Sequence, residues 1–342
     1  MESVKKVVRN LIIFIFLIII TFSLILKNQN MKELRSIILN IDLKYLIIGF
    51  LAMSLYIILE SINIKSILKT LGIKVSFIRT IRYTLTGFFF SGITPAASGG
   101  QPMEIFFMHK DGIPVSKSSI ALLVELISFQ IITISSCIIG AIINPELLSH
   151  GVIYLFIAGI TLNSIVLSTM LICFISEKTA RKLVNIFLEI LKFFHYKKLE
   201  EKKEEINQTI TNYAESAKII KANKSIIIKS IFIVFFQVYF YYSIPFWIYK
   251  SLGLNTLGLL RFISIQALLF CSVSSIPLPG SVGVSESAFI SIYSTIFGEK
   301  LLSTATILNR LNNFYLMVII GLLVTIYGAI KVKRMEKART SI

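Results

Sequence analysis

The sequence holds little of what soluble chemistry uses. Its three cysteines, Cys137, Cys173 and Cys271, lie in apolar runs with no CxxC or metal-ligand spacing, so they read as small packing residues. The three histidines, His109, His150 and His195, are scattered without ligand spacing, as interfacial residues near span ends are. There is no HExxH, no P-loop and no GxSxG, so the signatures of a zinc protease, a nucleotide hydrolase and a serine hydrolase are missing. Nothing calls for a metal or a cofactor, and ATP-driven transport would need another chain. Charge is also scarce, at 15% of residues.

What is abundant is apolar length. The 342 residues are 55% hydrophobic with a mean hydropathy of +0.80, more than one buried core requires. Several runs reach the roughly 17–25 residues that a helix needs to cross about 30 Å of hydrocarbon. The clearest lie at 11–26, 45–64, 119–144, 151–175, 226–249 and 311–330. They predict an all-α, polytopic membrane helix bundle. Lys5, Lys6 and Arg9 precede the first run as in a signal peptide, but no A-x-A-like cleavage site follows, so the first helix is expected to be retained.

The net charge of +17 does not point to nucleic acid, because the basic residues sit in short segments between apolar runs and not on a module with stacking aromatics. Lys65, Lys69, Lys74, Arg79 and Arg82 form one such segment, and Lys331, Lys333, Arg334, Lys337 and Arg339 another. Both are expected in the cytoplasm, as is the N-terminus. The stretch 177–229 carries twelve Lys or Arg against seven Glu, a net of +5. It divides the chain into a first membrane half (1–176), a cytoplasmic linker (177–229) and a second half with a basic tail (230–342). Within the linker Leu183, Ile186, Phe187, Ile190, Phe193 and Phe194 recur at helical spacing, as in a helix lying on anionic headgroups or a helical linker packed on the bundle.

Counting spans against these sides leaves two stretches that must leave and return on one face: 83–108 and 258–298. The centre of the first reads T-P-A-A-S-G-G-Q-P at 94–102, and that of the second S-I-P-L-P-G-S-V-G-V-S-E at 275–286. Both are breaker clusters inside apolar sequence, and they predict re-entrant helical hairpins entering from opposite faces. Pro95 and Glu104 share their spacing with Pro277 and Glu286, nine residues in each case, which reads as a degenerate inverted repeat of the kind found in transporters.

Broken helices leave backbone groups that must face protein or a wet cavity. Helices restarting near Gln101 and Val284 would turn N-terminal amides toward an anion there, with Gly99, Gly100, Pro279, Gly280 and Gly283 shaping the backbone. Buried ionisable residues are the sharper signal, since a charge at the bilayer centre costs at least about 2.5 kcal/mol. Arg310, expected to open the last span, is the candidate for an anionic headgroup phosphate. Glu104, Glu125 or Glu286 would balance it or handle an ammonium group or a proton, and a static Arg–carboxylate pair is the competing reading. Glu60 is weaker because it lies close enough to a helix end to snorkel. Asn309, Asn312 and Asn313 surround Arg310 and would add neutral hydrogen bonds or cap the helix.

Three blocks in order, G-I-T-P-A-A-S-G-G-Q-P-M-E at 92–104, H-K-D-G-I-P-V-S-K-S at 109–118 and I-P-L-P-G-S-V-G-V-S-E at 276–286, resemble the flippase-like membrane domain of lysylphosphatidylglycerol synthase. The resemblance spans nearly the whole chain. It implies a group whose longer members aminoacylate phosphatidylglycerol with lysine and move the product to the outer leaflet, protecting bacteria from cationic antimicrobial peptides. Those members carry a soluble C-terminal transferase domain, and the dozen residues that follow position 330 here are expected to be too few for one. The reading is therefore translocation of an anionic or aminoacylated phospholipid, or of a lipid-linked substrate, in a bacterial membrane. Its alternative is a phosphatidylglycerol lysyltransferase, or the membrane subunit of a transferase on another chain. A homo-oligomer is compatible with either, and a small soluble anion is the third substrate class.

Overall fold

Hydrocarbon offers a backbone amide no water, so each segment that crosses it must close its hydrogen bonds internally. Among the described residues every regular element is helical and there is no strand. The computed structural model describes residues 31–148, 152–193, 203–274, 276 and 278–340, together with 9, 12–13, 15–16, 18–21, 23 and 25–27. The expected span at 11–26 is therefore described only in part, and Ser275, Pro277, His150, His195 and Phe194 lie outside the described residues.

The helices are α1 (Met31–Leu39), α2 (Leu43–Thr70), α3 (Phe77–Ile93), α4 (Gly100–Lys110), α5 (Val115–Ile143), α6 (Val152–Ile175), α7 (Glu177–Phe193), α8 (Lys203–Ala222), α9 (Lys224–Ser251), α10 (Leu259–Val273), α11 (Val284–Arg310) and α12 (Leu316–Thr340). Among the described residues, Leu43–Thr70, Val115–Ile143, Ile153–Ile175, Lys224–Ser251 and the stretch Pro279–Lys333 are long and apolar enough to cross a membrane. The all-α polytopic bundle expected from the apolar runs is what forms.

The two ends of the bundle are tied by different contacts. At one end the Lys117 ammonium donates to the Leu71 carbonyl at 2.8 Å, and Arg82 and Tyr83 both donate to the Asp111 carboxylate. The ends of α2 and α4 and the starts of α3 and α5 meet there, around a core containing Leu68, Met108, Ile120 and Val332. At the other end the Asp42 amide donates to Ser251 O at 3.0 Å, Asn144 Nδ2 to Ser264 Oγ at 2.9 Å, and Arg261 pairs with Glu146. Rings of Tyr249, Phe262 and Phe297 pack together at this end.

Helices α3 and α4 thus form a hairpin whose two outer ends lie at the first end of the bundle. Helix α10 and the first part of α11, up to a non-helical turn at Gly298 (φ 65°, ψ 164°), form a second hairpin with its outer ends at the other. Their tips meet in the interior, where the Gly92 carbonyl lies 3.0 Å from the position a Cβ on Gly280 would take.

Three boundaries differ from the sequence reading. The basic stretch 65–82 is mostly helix, because α2 runs to Thr70 and α3 begins at Phe77; Arg82 can sit inside a hairpin base because Asp111 neutralises it. The last span starts near Glu299 and not at 311, so Arg310 lies well inside it and does not open it. The polar run Asn309–Asn313 lowers hydropathy locally but does not interrupt the helix; it passes through one π turn, Leu311–Tyr315, in which the Leu316 amide bonds to the Leu311 carbonyl.

The hairpin repeat is also offset from the spacing in the sequence. Pro95 and Pro279 each open a 3₁₀ turn whose next two residues are left-handed: Ala96 and Ala97 at φ 51° and 54°, Gly280 and Ser281 at φ 57° and 49°. Helices α4 and α11 then start five residues after their prolines, at Gly100 and Val284. The matching prolines are therefore 95 and 279, two residues from the register that pairs Glu104 with Glu286. Glu286 falls on the first turn of its helix and Glu104 on the second.

Of the linker, α8 packs on the bundle: Ala217 and Ile220 are buried with Leu71 and Ile120, and the Lys221 ammonium donates to Ile175 O at 3.1 Å. Helix α7 lies over α8 through Arg181, which reaches Asn207 and Thr211, and it leaves Leu183 and Ile186 exposed.

Helix α12 crosses α3 at close range. A Cβ on Gly321 would stand 2.6 Å from the Leu85 carbonyl and 2.9 Å from Phe89 Cβ, backbone contacts that cannot swing aside. Gly321→Ala is expected to lower stability by about 1–3 kcal/mol, read as thermal unfolding in detergent. Gly258→Ala, at the N-cap of α10 with negative φ and nothing within 4 Å of the added carbon, is the comparison and is expected to cost less than about 1 kcal/mol, the preference of a cap for glycine over alanine.

Candidate functional site

Glu286 stands at the third position of α11, from which a carboxylate reaches back to its own helix start. Its Oε2 accepts from the Gly283 amide at 2.7 Å. Gly283 itself is left-handed at φ 87°, so the turn into α11 needs glycine there. The other oxygen, Oε1, accepts from Arg310 Nε at 2.8 Å and from the Tyr315 hydroxyl at 3.2 Å. Arg310 Nη2 also donates to the Gly280 carbonyl at 2.8 Å. Arg310 is 7% exposed and Glu286 2%, so this is a buried pair, stabilised by the additional hydrogen bonds that such a pair requires. The guanidinium lies over the Phe314 ring, 4.4 Å from its centroid, at a distance where the ring quadrupole attracts a cation.

A cavity of about 200 Å³ opens beside Arg310 at the meeting of the two tips. Gly92 and Ala97 of the first tip and Gly280 and Ser281 of the second line it, with Tyr56, Phe129, Tyr241, Phe270 and Phe289 as aromatic walls. Asn309 and Asn313 line it too, and their side-chain oxygens are buried without a protein partner. A guanidinium carries five N–H groups; Nε and Nη2 of Arg310 donate in the bonds above and the guanidinium also reaches the Tyr315 hydroxyl, which still leaves donors over. The cavity is apolar, with one cationic donor and a few neutral polar groups converging on it, the composition of a small-ligand site.

Of the residues singled out from the sequence, Arg310, Glu286 and Gly280 come together here. Pro279 is buried at the start of the 3₁₀ turn, and Gly283 and Glu286 also border a small pocket with Thr21 and Ile25. In the first tip, the Gly99 amide donates to Thr94 Oγ1 at 2.9 Å. Gly100 packs against Ser91 and the Gly87 carbonyl, and Gln101 lies half-buried on the first turn of α4. None of these three lines the cavity.

Glu104 and Glu125 do not join Arg310. Glu104 is folded against Gly87 of α3, whose added Cβ would strike its carboxylate. Glu125 on α5 lies beside Gln237 of α9, and Gln237 Nε2 donates to Glu60 Oε2 at 3.4 Å. The three carboxyl groups of Glu60, Glu104 and Glu125 act on one another electrostatically and form a second, acidic cluster. Tyr56 borders both regions: it lines the cavity and adjoins Gln237 and the acidic side chains. Its ring packs on Tyr241, with centroids 5.4 Å apart. The sequence reading did not find Gln237, Tyr56, Tyr241 or Tyr315. Glutamine and tyrosine are ordinary in apolar helices, and the partner of Gln237 is 177 residues away.

The chain is similar along most of its length to two archaeal proteins. A UPF0104 membrane protein of Archaeoglobus fulgidus is 24% identical over 320 residues, covering 93% of this chain and 97% of the relative. A UPF0104 membrane protein of Pyrococcus horikoshii is 22% identical over 293 residues, covering 82% and 86%. The family described as the lysylphosphatidylglycerol synthase TM region matches residues 8–321. With its membrane-length helices, its two opposed hairpins and this match over nearly its whole length, the chain is a multi-pass membrane protein that belongs to the lysylphosphatidylglycerol synthase TM-region family.

Proposed function

We propose that this protein moves an anionic or aminoacylated phospholipid, or a lipid-linked phosphate, between the leaflets of the membrane. The observation that carries the reading is Arg310: a buried guanidinium with unused donors, facing a cavity at the point where hairpins from opposite ends of the bundle touch. A phosphate can take those donors while the acyl tails remain outside the helices. A cavity bounded by two opposed tips opens toward either leaflet when one tip withdraws, which is the geometry alternating access requires. The family match supports a lipid substrate, and lysylphosphatidylglycerol is the first to try.

The orientation follows from where the basic residues gather. Lys69, Lys74 and Arg79, helix α8 and the basic end of α12 all lie at the end of the bundle that holds Asp111. We assign that end to the cytoplasm by the positive-inside rule and propose the same side for both termini from the basic residues near them in the sequence. In a background lacking the three native cysteines, Asn255→Cys is expected to react with a membrane-impermeant maleimide on intact cells, and Ser76→Cys only after lysis. The opposite pattern would invert the topology.

In proteoliposomes, headgroup-labelled phosphatidylglycerol or lysylphosphatidylglycerol is expected to change leaflet with the parent protein, and Arg310→Ala to slow that movement by about tenfold or more, the worth of a charged hydrogen bond. No movement of either lipid by the parent protein would refute the reading. A static structural role for the pair is tested separately. Arg310→Met alone leaves Glu286 buried and unpaired, a loss of about 3–5 kcal/mol, whereas Arg310→Met with Glu286→Gln removes the charge, keeps an acceptor for the Gly283 amide, and is expected to regain part of the folded yield on size exclusion and still move no lipid.

A further inference from the structure

The acidic cluster buries carboxyl groups without a counter-charge among the described residues. Glu104 is 4% exposed, Glu125 5% and Gln237 0%, and among the described residues none of the three carboxylates forms an ion pair. Two buried acceptors in it, Glu104 Oε2 and Gln237 Oε1, have no donor. The groups that face the cluster are Tyr56 and Glu60 from α2, Glu104 from α4, Glu125 from α5, and Gln237 and Tyr241 from α9, while α3 presents Gly87; none of these is a cation. Three ionised carboxylates packed this way would leave three unbalanced charges in a low-dielectric interior, each costing several kcal/mol. A carboxyl group that takes up a proton loses its charge and gains the donor that the neighbouring acceptors lack. A metal ion does not answer the same need, since among the described residues no three His, Cys, Asp or Glu side chains converge closely enough to hold one. Glu60 keeps partial exposure.

We infer that Glu60, Glu104 and Glu125, with Gln237, form a proton-binding site whose occupancy is linked to anion binding at Arg310. The inference rests on the cavity being an anion site. Tyr56 and Tyr241 separate the two regions by the thickness of one aromatic layer. An anion in the cavity adds negative potential to the cluster, so its arrival draws a proton onto one of the three carboxylates and its departure releases that proton to water. Linkage is reciprocal: if anion binding raises proton affinity, protonation strengthens anion binding by the same factor. One linked proton limits the effect to about tenfold in affinity per pH unit. In a transport cycle, uptake on one side and release on the other would tie lipid movement to a proton gradient.

The test uses the full chain in neutral detergent with phosphatidylglycerol as the probe, so that it does not depend on transport. In a weakly buffered solution, phosphatidylglycerol is expected to trigger proton uptake and to bind more weakly as pH rises. Glu60→Gln, Glu104→Gln and Glu125→Gln are each expected to diminish the uptake. Infrared difference spectra give a readout that needs neither binding nor a variant: the carbonyl stretch of a protonated carboxyl group is expected in the parent protein at neutral pH. Absence of that stretch overturns the proton site. Binding without proton uptake, or no binding at any pH, overturns the linkage. Proton uptake on binding together with no lipid movement in proteoliposomes would uphold the inference and refute the translocase reading instead.

Discussion

A helix that breaks inside a membrane must find partners for the backbone groups it releases, and the protein itself has to provide them. Each tip does so differently. In the first, the Thr94 hydroxyl serves both sides of the break, donating to Phe90 O and accepting from the Gly99 amide. In the second, the partners are charged: Arg310 holds the Gly280 carbonyl and Glu286 the Gly283 amide. The ion pair is therefore also a backbone clamp. The same guanidinium that borders the cavity keeps the second tip in its turn, so a ligand that took its donors would act on the shape of the tip through one side chain.

The interior is divided electrostatically. On one side of the Tyr56–Tyr241 layer a cation is paired, hydrogen-bonded and stacked on an aromatic ring; on the other, carboxyl groups gather with no cation paired to them among the described residues. This division follows from the two-residue offset between the hairpins. At the third helical position Glu286 can reach back to its helix start and across to Arg310. Glu104, on the second turn, is too far along for the equivalent bond and is carried instead toward α2, α5 and α9.

Sequence alone conveyed the class of fold well because membrane spans are a matter of length and polarity, both visible in the chain. The breaks were visible for a similar reason: prolines and glycines clustered between Thr94 and Pro102, and again around Pro279, have no place in an unbroken span. Arg310 and Glu286 stood out as charges in apolar surroundings, but their pairing was not legible, since 24 residues and a reversal of direction separate them. Spacing in the sequence pairs Pro95 with Pro277, whereas the backbone takes Pro279 as its counterpart; spacing between prolines carries no information about which one opens the left-handed turn. The grouping of Glu60, Glu104 and Glu125 depends on how three helices cross, and no local pattern encodes that.

The π turn at Leu311–Tyr315 inserts one residue into an otherwise regular path, between Arg310 on one side and Gly321 and Gly328 on the other. Each residue of a helix is turned about 100° from the last, so this extra residue sets the phase between the half of the span that faces the cavity and the half that lies against α3. The span therefore acts as two gears fixed on a common shaft, and its tolerance of change is lopsided. A different side chain at Leu311, which is exposed and does not line the cavity, keeps the phase, whereas loss of that one residue would rotate the half beyond the turn off α3 while leaving every amino acid around the cavity present. Across the family the length of this segment should accordingly be held more tightly than the side chain at position 311.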